Sequence, residues 1–159
     1  MLKFCGKGFT YMNTAYKLIQ ITNSEISDVA TSENMPLGSV TRRINAPYNY
    51  CNTFVLSYSE SDTVTINDPG FYKLTYSLTA SAADVGVVTL DLVVNGSSVY
   101  TISEYLGTAE QPINITLPYT IRVMPNTCGV TTNLPTTIQF KNNGVALTGV
   151  SSNLIIEKI

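Results

Sequence analysis

Residues 68–80 read DPGFYKLTYSLTA, and two features of this stretch decide how the chain folds. Asp68, Pro69 and Gly70 are turn formers: proline presets the backbone of a turn and glycine accepts conformations that a side chain forbids. Beyond them Tyr72, Leu74, Tyr76, Leu78 and Ala80 alternate with Lys73, Thr75, Ser77 and Thr79. Successive side chains of a strand point to opposite faces, so this is a strand with one apolar face for a core and one polar face turned away.

The same grammar recurs on both sides. TFVLSY (53–58) and TVTI (63–66) flank the acidic turn SESD, and VVTLDLVV (87–94) is followed at once by Asn95-Gly96 and then SVYTISEYL (98–106). Asn-Gly between two apolar runs predicts a hairpin, because a type I′ turn needs positive φ at both central residues. PINITLP (112–118) leads into YTIRVM (119–124), with Pro118 marking an edge strand or a break. TTIQFK (136–141) is followed by KNNG, which reads as another hairpin turn, and VSSNLIIEKI closes the chain. In that last stretch Leu154 and Ile156 share one face while Ile155 and Ile159 share the other. A strand that is apolar on both faces needs cover on both, so the second face calls for a neighbour.

The first third reads differently. YKLIQIT (16–22) and PLGSVTRRI (36–44) are expected as strands, joined by the polar NSEISDVATSE with room for a short helix. No 3.6-residue apolar period marks a long helix, and no repeat, heptad array or Gly-X-Y tract is present.

Composition narrows the function. The 159 residues include 44% hydrophobic but only 13% charged side chains, with a net charge of −2. Scattered cations and an acidic balance leave no basic stripe for nucleic-acid phosphates. No apolar run approaches the roughly 20 residues of a membrane-spanning helix, and the start of the chain lacks the apolar core of a secretory signal. Synthesis in the cytoplasm without export is the expectation. Cys5, Cys51 and Cys128 are three in number and far apart, which fits free thiols better than disulfides or a metal site.

Laid end to end, a turn followed by G-F-Y-x-L-x-Y-x-L, then V-x-L-x-L-x-V-N-G, then I-x-I-x-L-P and a terminal L-I-I-E-K-I resembles the jelly roll of tumour necrosis factor and of the complement globular heads. The chain is also similar to a group of small virion proteins of tailed phages. Their PLGxVxRR, PGxYxL, T-L-x-L-x-x-x-G, LPxxxRV and terminal V-E-K-I segments correspond here to Pro36–Arg43, Pro69–Leu74, Thr89–Gly96, Leu117–Val123 and Ile156–Ile159. The resemblance covers roughly residues 36–159 and implies a trimer whose last strand lies near the three-fold axis.

Catalysis lacks its parts. There is no histidine to act as a base and no G-x-S-x-G, so serine and cysteine nucleophiles have no partner. Two carboxylates would suffice for a glycosidase, and Asp91 with Glu104 across the Asn-Gly hairpin is the pair to test. Glu60, Asp62 and Asp68 offer oxygen ligands for calcium, although ordinary turn chemistry explains them as well. Among the ten tyrosines, Tyr48, Tyr50, Tyr100 and Tyr105 are candidates for contact with a sugar or a partner, whereas Tyr72 and Tyr76 belong to the core. Arg42 and Arg43, adjacent on a strand, point to opposite faces.

The resulting expectation is an all-β protein: an antiparallel two-sheet jelly-roll sandwich over residues 45–159, preceded by an N-terminal extension over 1–44. No enzyme activity and no cofactor are expected. The partners are further copies of the chain in a homotrimer and a major capsid protein or other virion component, giving a capsid decoration or head-fibre protein on the virion. Phe71, Ile155 and Ile159 are the expected trimer contacts, and Lys3, Lys7, Arg42 and Arg43 the expected anchors to the shell. Two other readings use the same fold: a tip protein that binds carbohydrate or a host surface, and a bacterial spore-surface trimer, which would usually carry a collagen-like stalk.

Overall fold

The computed structural model describes residues 16–44, 47–48, 53–59, 61–124 and 134–159. Every regular element among them is a strand. In chain order these are β1 (Leu18–Val29), β2 (Ser39–Ile44), β3 (Pro47–Tyr48), β4 (Thr53–Phe54), β5 (Leu56–Ser59), β6 (Thr63–Ile66), β7 (Gly70–Ala82), β8 (Gly86–Val94), β9 (Ser97–Leu106), β10 (Pro112–Val123), β11 (Thr136–Asn142) and β12 (Leu147–Lys158). Ten of them form two five-stranded antiparallel sheets, ordered β10-β7-β12-β1-β2 and β5-β6-β11-β8-β9, while β3 and β4 pair as a separate ribbon. From β6 onwards every connection except the β8–β9 hairpin crosses between the sheets, at β6–β7, β7–β8, β9–β10, β10–β11 and β11–β12, the winding of a jelly roll.

The alternation in 68–80 is realised throughout β7. Tyr72, Leu74, Tyr76, Leu78, Ala80 and Ala82 are buried, and Phe71, Lys73, Thr75, Ser77, Thr79 and Ser81 face outward. The Tyr76 ring stacks on Phe140 of β11 with centroids 4.0 Å apart and planes 13° from parallel, joining the two sheets at mid-core. Beyond the roughly 25 cal/mol per Å² of apolar area removed from water, such a pair adds about 1 kcal/mol. Burial pushes the Tyr76 phenol up, and a loose approach to the Ser152 hydroxyl offsets this only in part. That approach is too poor to be a hydrogen bond, so the Tyr76 hydroxyl is buried without a partner.

The Asn-Gly hairpin forms as read: Asn95 and Gly96 adopt φ of 49° and 77° between β8 and β9. The Asn95 side-chain oxygen then accepts from the Thr137 N–H at 2.7 Å, tying the turn to β11. β5 and β6 pair across the acidic turn, although TFVLSY is split at Val55 into β4 and β5. β10 runs through Pro118 without a break as an edge strand.

Three expectations are corrected. KNNG is no hairpin: β11 and β12 lie in different sheets, and the link between them follows β8, with the Asn143 and Val145 N–H groups donating to the Thr89 and Val87 carbonyls. Gly144 makes this possible, since a Cβ there would lie 2.3 Å from the Thr89 nitrogen and the Val87 oxygen. The boundary expected at 44/45 also fails, because β1 lies inside the first sheet between β12 and β2, and Ile19, Ile21, Met35 and Leu37 are fully buried. Residues 18–44 are therefore part of the sandwich, and the NSEISDV stretch is strand with irregular pairing, not a helix.

Candidate assembly interface

The outer face of the first sheet can be read row by row from the strand register. Across its middle run Arg42, Gln20, Ile155, Thr75 and Pro118. One row towards the β12 end lie Ile44, Leu18, Glu157, Lys73 and Thr120, and one row the other way Thr22, Asn153, Ser77 and Thr116. Strand alternation puts Ile159 and Phe71 on the same face beyond Glu157 and Lys73, and Arg122 pairs with Phe71.

The three expected trimer contacts therefore share one surface. Phe71 is 50% and Ile159 67% exposed, and the Ile159 N–H donates to the Phe71 carbonyl. Ile155 is half-buried at the centre, surrounded by hydroxyls and amides. Tyr16, which the sequence reading passed over, joins this end: its hydroxyl donates to Glu157 Oε2 at 3.0 Å and 49% of its surface is open. Partial desolvation, then the Glu157 carboxylate, hold its phenol above the ordinary range. The signal was available, because Tyr16 has the parity of Leu18, Gln20 and Thr22.

Polar side chains on this face hold one another in place. Gln20 Nε2 donates to Asn153 Oδ1 at 3.0 Å and the Thr22 hydroxyl donates to the same oxygen at 3.2 Å. Lys73 Nζ stands 3.7 Å from Glu157 Oε1, and the Arg122 guanidinium lies 5.7 Å from the centre of the Phe71 ring. Such a face has few net charges, many fixed hydrogen-bonding groups and an apolar centre and end. These are the properties of a surface that meets another protein, where aromatic and arginine side chains concentrate.

The other sequence candidates disperse. Arg42 belongs to the outer face, whereas Arg43 pairs with Ile19 and has the opposite parity, so the two do point apart. Asp91 and Glu104 sit on opposite faces of the second sheet: Asp91 pairs with Thr101, while Glu104 pairs with Val88, whose side chain is core. They form no catalytic pair. Asp62 accepts from the Asn34 amide and Asp68 is ion-paired with Lys158, at the two ends of β6. Among the described residues no group of carboxylates or thiols converges on a point that would hold a metal. Tyr100 leans on Tyr119 with centroids 5.7 Å apart, closing one side of the sandwich, and Tyr105 pairs with Val87 on the other face. Tyr48 lies in β3. Lys3, Lys7, Cys5, Tyr50, Cys51, Glu60 and Cys128 lie outside the described residues.

Together the strand order, the crossings and the buried faces define a jelly-roll sandwich of the tumour necrosis factor type. Murine APRIL at pH 5.0 is similar with a TM-score of 0.62 and 12% identity, over 91% of this chain and all of the other (100%). The globular domain of zebrafish complement 1qA protein gives 0.59 at 8% identity, over 88% and 94% of the two chains. PRD1 vertex protein P5 gives 0.54 at 15% identity, over 90% and 96%. At these identities the likeness concerns the fold. No family model matches the sequence, and no curated protein matches it.

Proposed function

We propose that this protein is a structural component of a tailed-phage virion, a homotrimeric capsid decoration or head-fibre protein. The observation that carries the reading is the outer face of the first sheet, where Ile155, Phe71, Ile159 and Tyr16 meet on one surface of otherwise locked polar groups. Three copies packed through this face would cover the apolar side of β12 that the single chain leaves open. The N-terminal segment, with Lys3 and Lys7, and Arg42 at the rim of the same sheet would hold the trimer to a shell of major capsid protein. Three simultaneous attachments would turn weak single contacts into firm anchoring. A vertex protein among the structures of similar fold supports a virion location.

The test is the mass of the full chain by light scattering over a wide concentration range, followed by binding to empty capsids. A particle of three times 17.3 kDa that binds capsids through residues 1–15 is expected. A chain that stays monomeric at the highest concentration reached would overturn the trimer, and a trimer without affinity for any capsid would overturn the virion role.

A further inference from the structure

The second sheet carries a cleft on its outer face, away from the proposed assembly surface. Asp91 and Val93 of β8, Gly96 of the hairpin turn, Ser98 of β9, Gln139 and Lys141 of β11, and the loop residues Asn34 and Asn143 line it. Its volume of about 300 Å³ is at the lower end of clefts that hold small ligands.

Its polar groups are fixed before any ligand arrives. Asp91 is only 8% exposed, and its two carboxylate oxygens accept from the Thr101 hydroxyl and the Asn143 amide, each at 2.6 Å. Gln139 Nε2 donates to the Thr63 hydroxyl at 2.9 Å, and Asn34 Nδ2 donates to Asp62 at 2.7 Å. Each of these three amides spends its nitrogen on a partner in the protein and keeps an oxygen that can accept. Lys141 is the cross-strand neighbour of Asp91 on the same face and adds an ammonium donor.

These groups select by chemistry. One carboxylate and one ammonium balance, so the cleft favours a neutral ligand over a phosphate or a cation. Several acceptors and donors at fixed angles around an apolar Val93 suit a molecule with many hydroxyls and a C–H face. Pre-ordered side chains also lower the entropy lost on binding. We infer that this cleft binds a neutral saccharide, one sugar ring at a time. It binds without cleaving, because Asp91 is the sole carboxylate in its lining and Glu104 lies on the other face of the sheet. No aromatic ring lines it, so affinity for a single sugar is in the millimolar range and gains strength only through several copies.

The experiment is a titration of the full ¹⁵N-labelled chain with the methyl glycosides of glucose, galactose and N-acetylglucosamine, with glycerol and sodium phosphate as comparison probes. At least one glycoside is expected to give saturating shifts at the amides of Asp91, Val93, Ser98 and Asn143, with glycerol and phosphate giving none. Ser98→Phe, which fills the cleft and leaves the hydrogen bonds to Asp91 intact, should weaken that glycoside about tenfold or more, equivalent to about 1.4 kcal/mol. Unchanged spectra elsewhere establish that the variant is folded. The inference fails if no glycoside saturates, if phosphate produces the same shifts, or if Ser98→Phe leaves the affinity unchanged. None of these outcomes depends on the oligomeric state.

Discussion

Lys158 reaches Asp68 by crossing the bare backbone of Gly70. The ammonium and carboxylate form an ion pair that is mostly shielded from solvent, and a Cβ on Gly70 would lie 2.6 Å from Lys158 Cε. Gly70 has a φ of 149°, which a side chain would strain in any case. The Tyr72 hydroxyl donates to the Asp68 carbonyl at 2.9 Å, so the turn before β7 and the end of β12 are clasped together. Lys158→Met should cost about 2 kcal/mol, between the values for exposed and buried pairs, because it leaves Asp68 unpaired. Gly70→Ala should lose a similar amount. Urea midpoints would measure both, and the double variant should lose less than the sum if the two share the clasp.

Ile155 stands at the centre of the proposed assembly face. Ile155→Asp places a charge at the centre of the proposed contact and should convert the trimer to folded monomers at any practical concentration. Phe71→Ala and Tyr16→Ala, at the exposed end, should weaken association by about 1–2 kcal/mol each. Light scattering reads the mass and far-ultraviolet circular dichroism the fold. A trimer unaffected by Ile155→Asp would place the contact elsewhere.

The Tyr76 hydroxyl is buried with no hydrogen-bond partner, and an unsatisfied group costs about 1–3 kcal/mol. Tyr76→Phe keeps the ring on Phe140 and removes the polar atom, so it should raise stability by about 1 kcal/mol. The melting temperature would then rise by about 2–4 °C for a chain of this length. A fall would mean that Ser152 holds the hydroxyl after all.

Alkali should unfold the protein. Burial holds the phenols of Tyr72 and Tyr76 well above their ordinary value, with the Asp68 charge adding to the effect on Tyr72. For a folded-state pKa raised above the unfolded one, stability is complete below the unfolded value near 10 and is lost as pH rises beyond it. Stability should therefore be insensitive to tyrosine ionisation up to about pH 10 and fall above it by about 1.4 kcal/mol per pH unit for each phenol, read as a falling melting temperature. Tyr76→Phe should make that fall shallower.

Gly144 has no room for a methyl group, because its neighbours are backbone atoms of β8 that cannot turn aside. Gly144→Ala should cost about 3 kcal/mol, in the upper range for an overpacked site. Gly107→Ala, with nothing within 4 Å of the new carbon, is the control and should be close to neutral. Equal midpoints for the two would contradict the close approach.

Legibility followed locality. The strands with clean alternation, β7 above all, and the Asn-Gly turn could be read directly, because the period of two and the positive φ are local properties. β1 was read short because its Asn23–Val29 half carries pairing irregularities that break the alternation with polar residues. KNNG misled because a turn signal gives no indication of which sheet the next strand enters; the packing of Gly144 on β8 settles that. The outer face was legible through parity alone, which placed Ile155 and Ile159 together and would have added Tyr16. The cleft was not, since Asn34, Asp91, Ser98 and Asn143 come together only through the crossing of strands distant in sequence.

The Lys158 N–H donates to the Lys17 carbonyl, so the first and last strands leave the sandwich side by side. The segments 83–85, 107–111 and 143–146 gather at the opposite pole, where the Ala83 and Glu110 N–H groups donate to the Ala146 and Ala82 carbonyls. The molecule thus has a root and a crown. A foreign peptide grafted at Gly107, in open space, would be carried on the crown, with the length of the strands between it and whatever holds the root, which makes the fold a ready display scaffold.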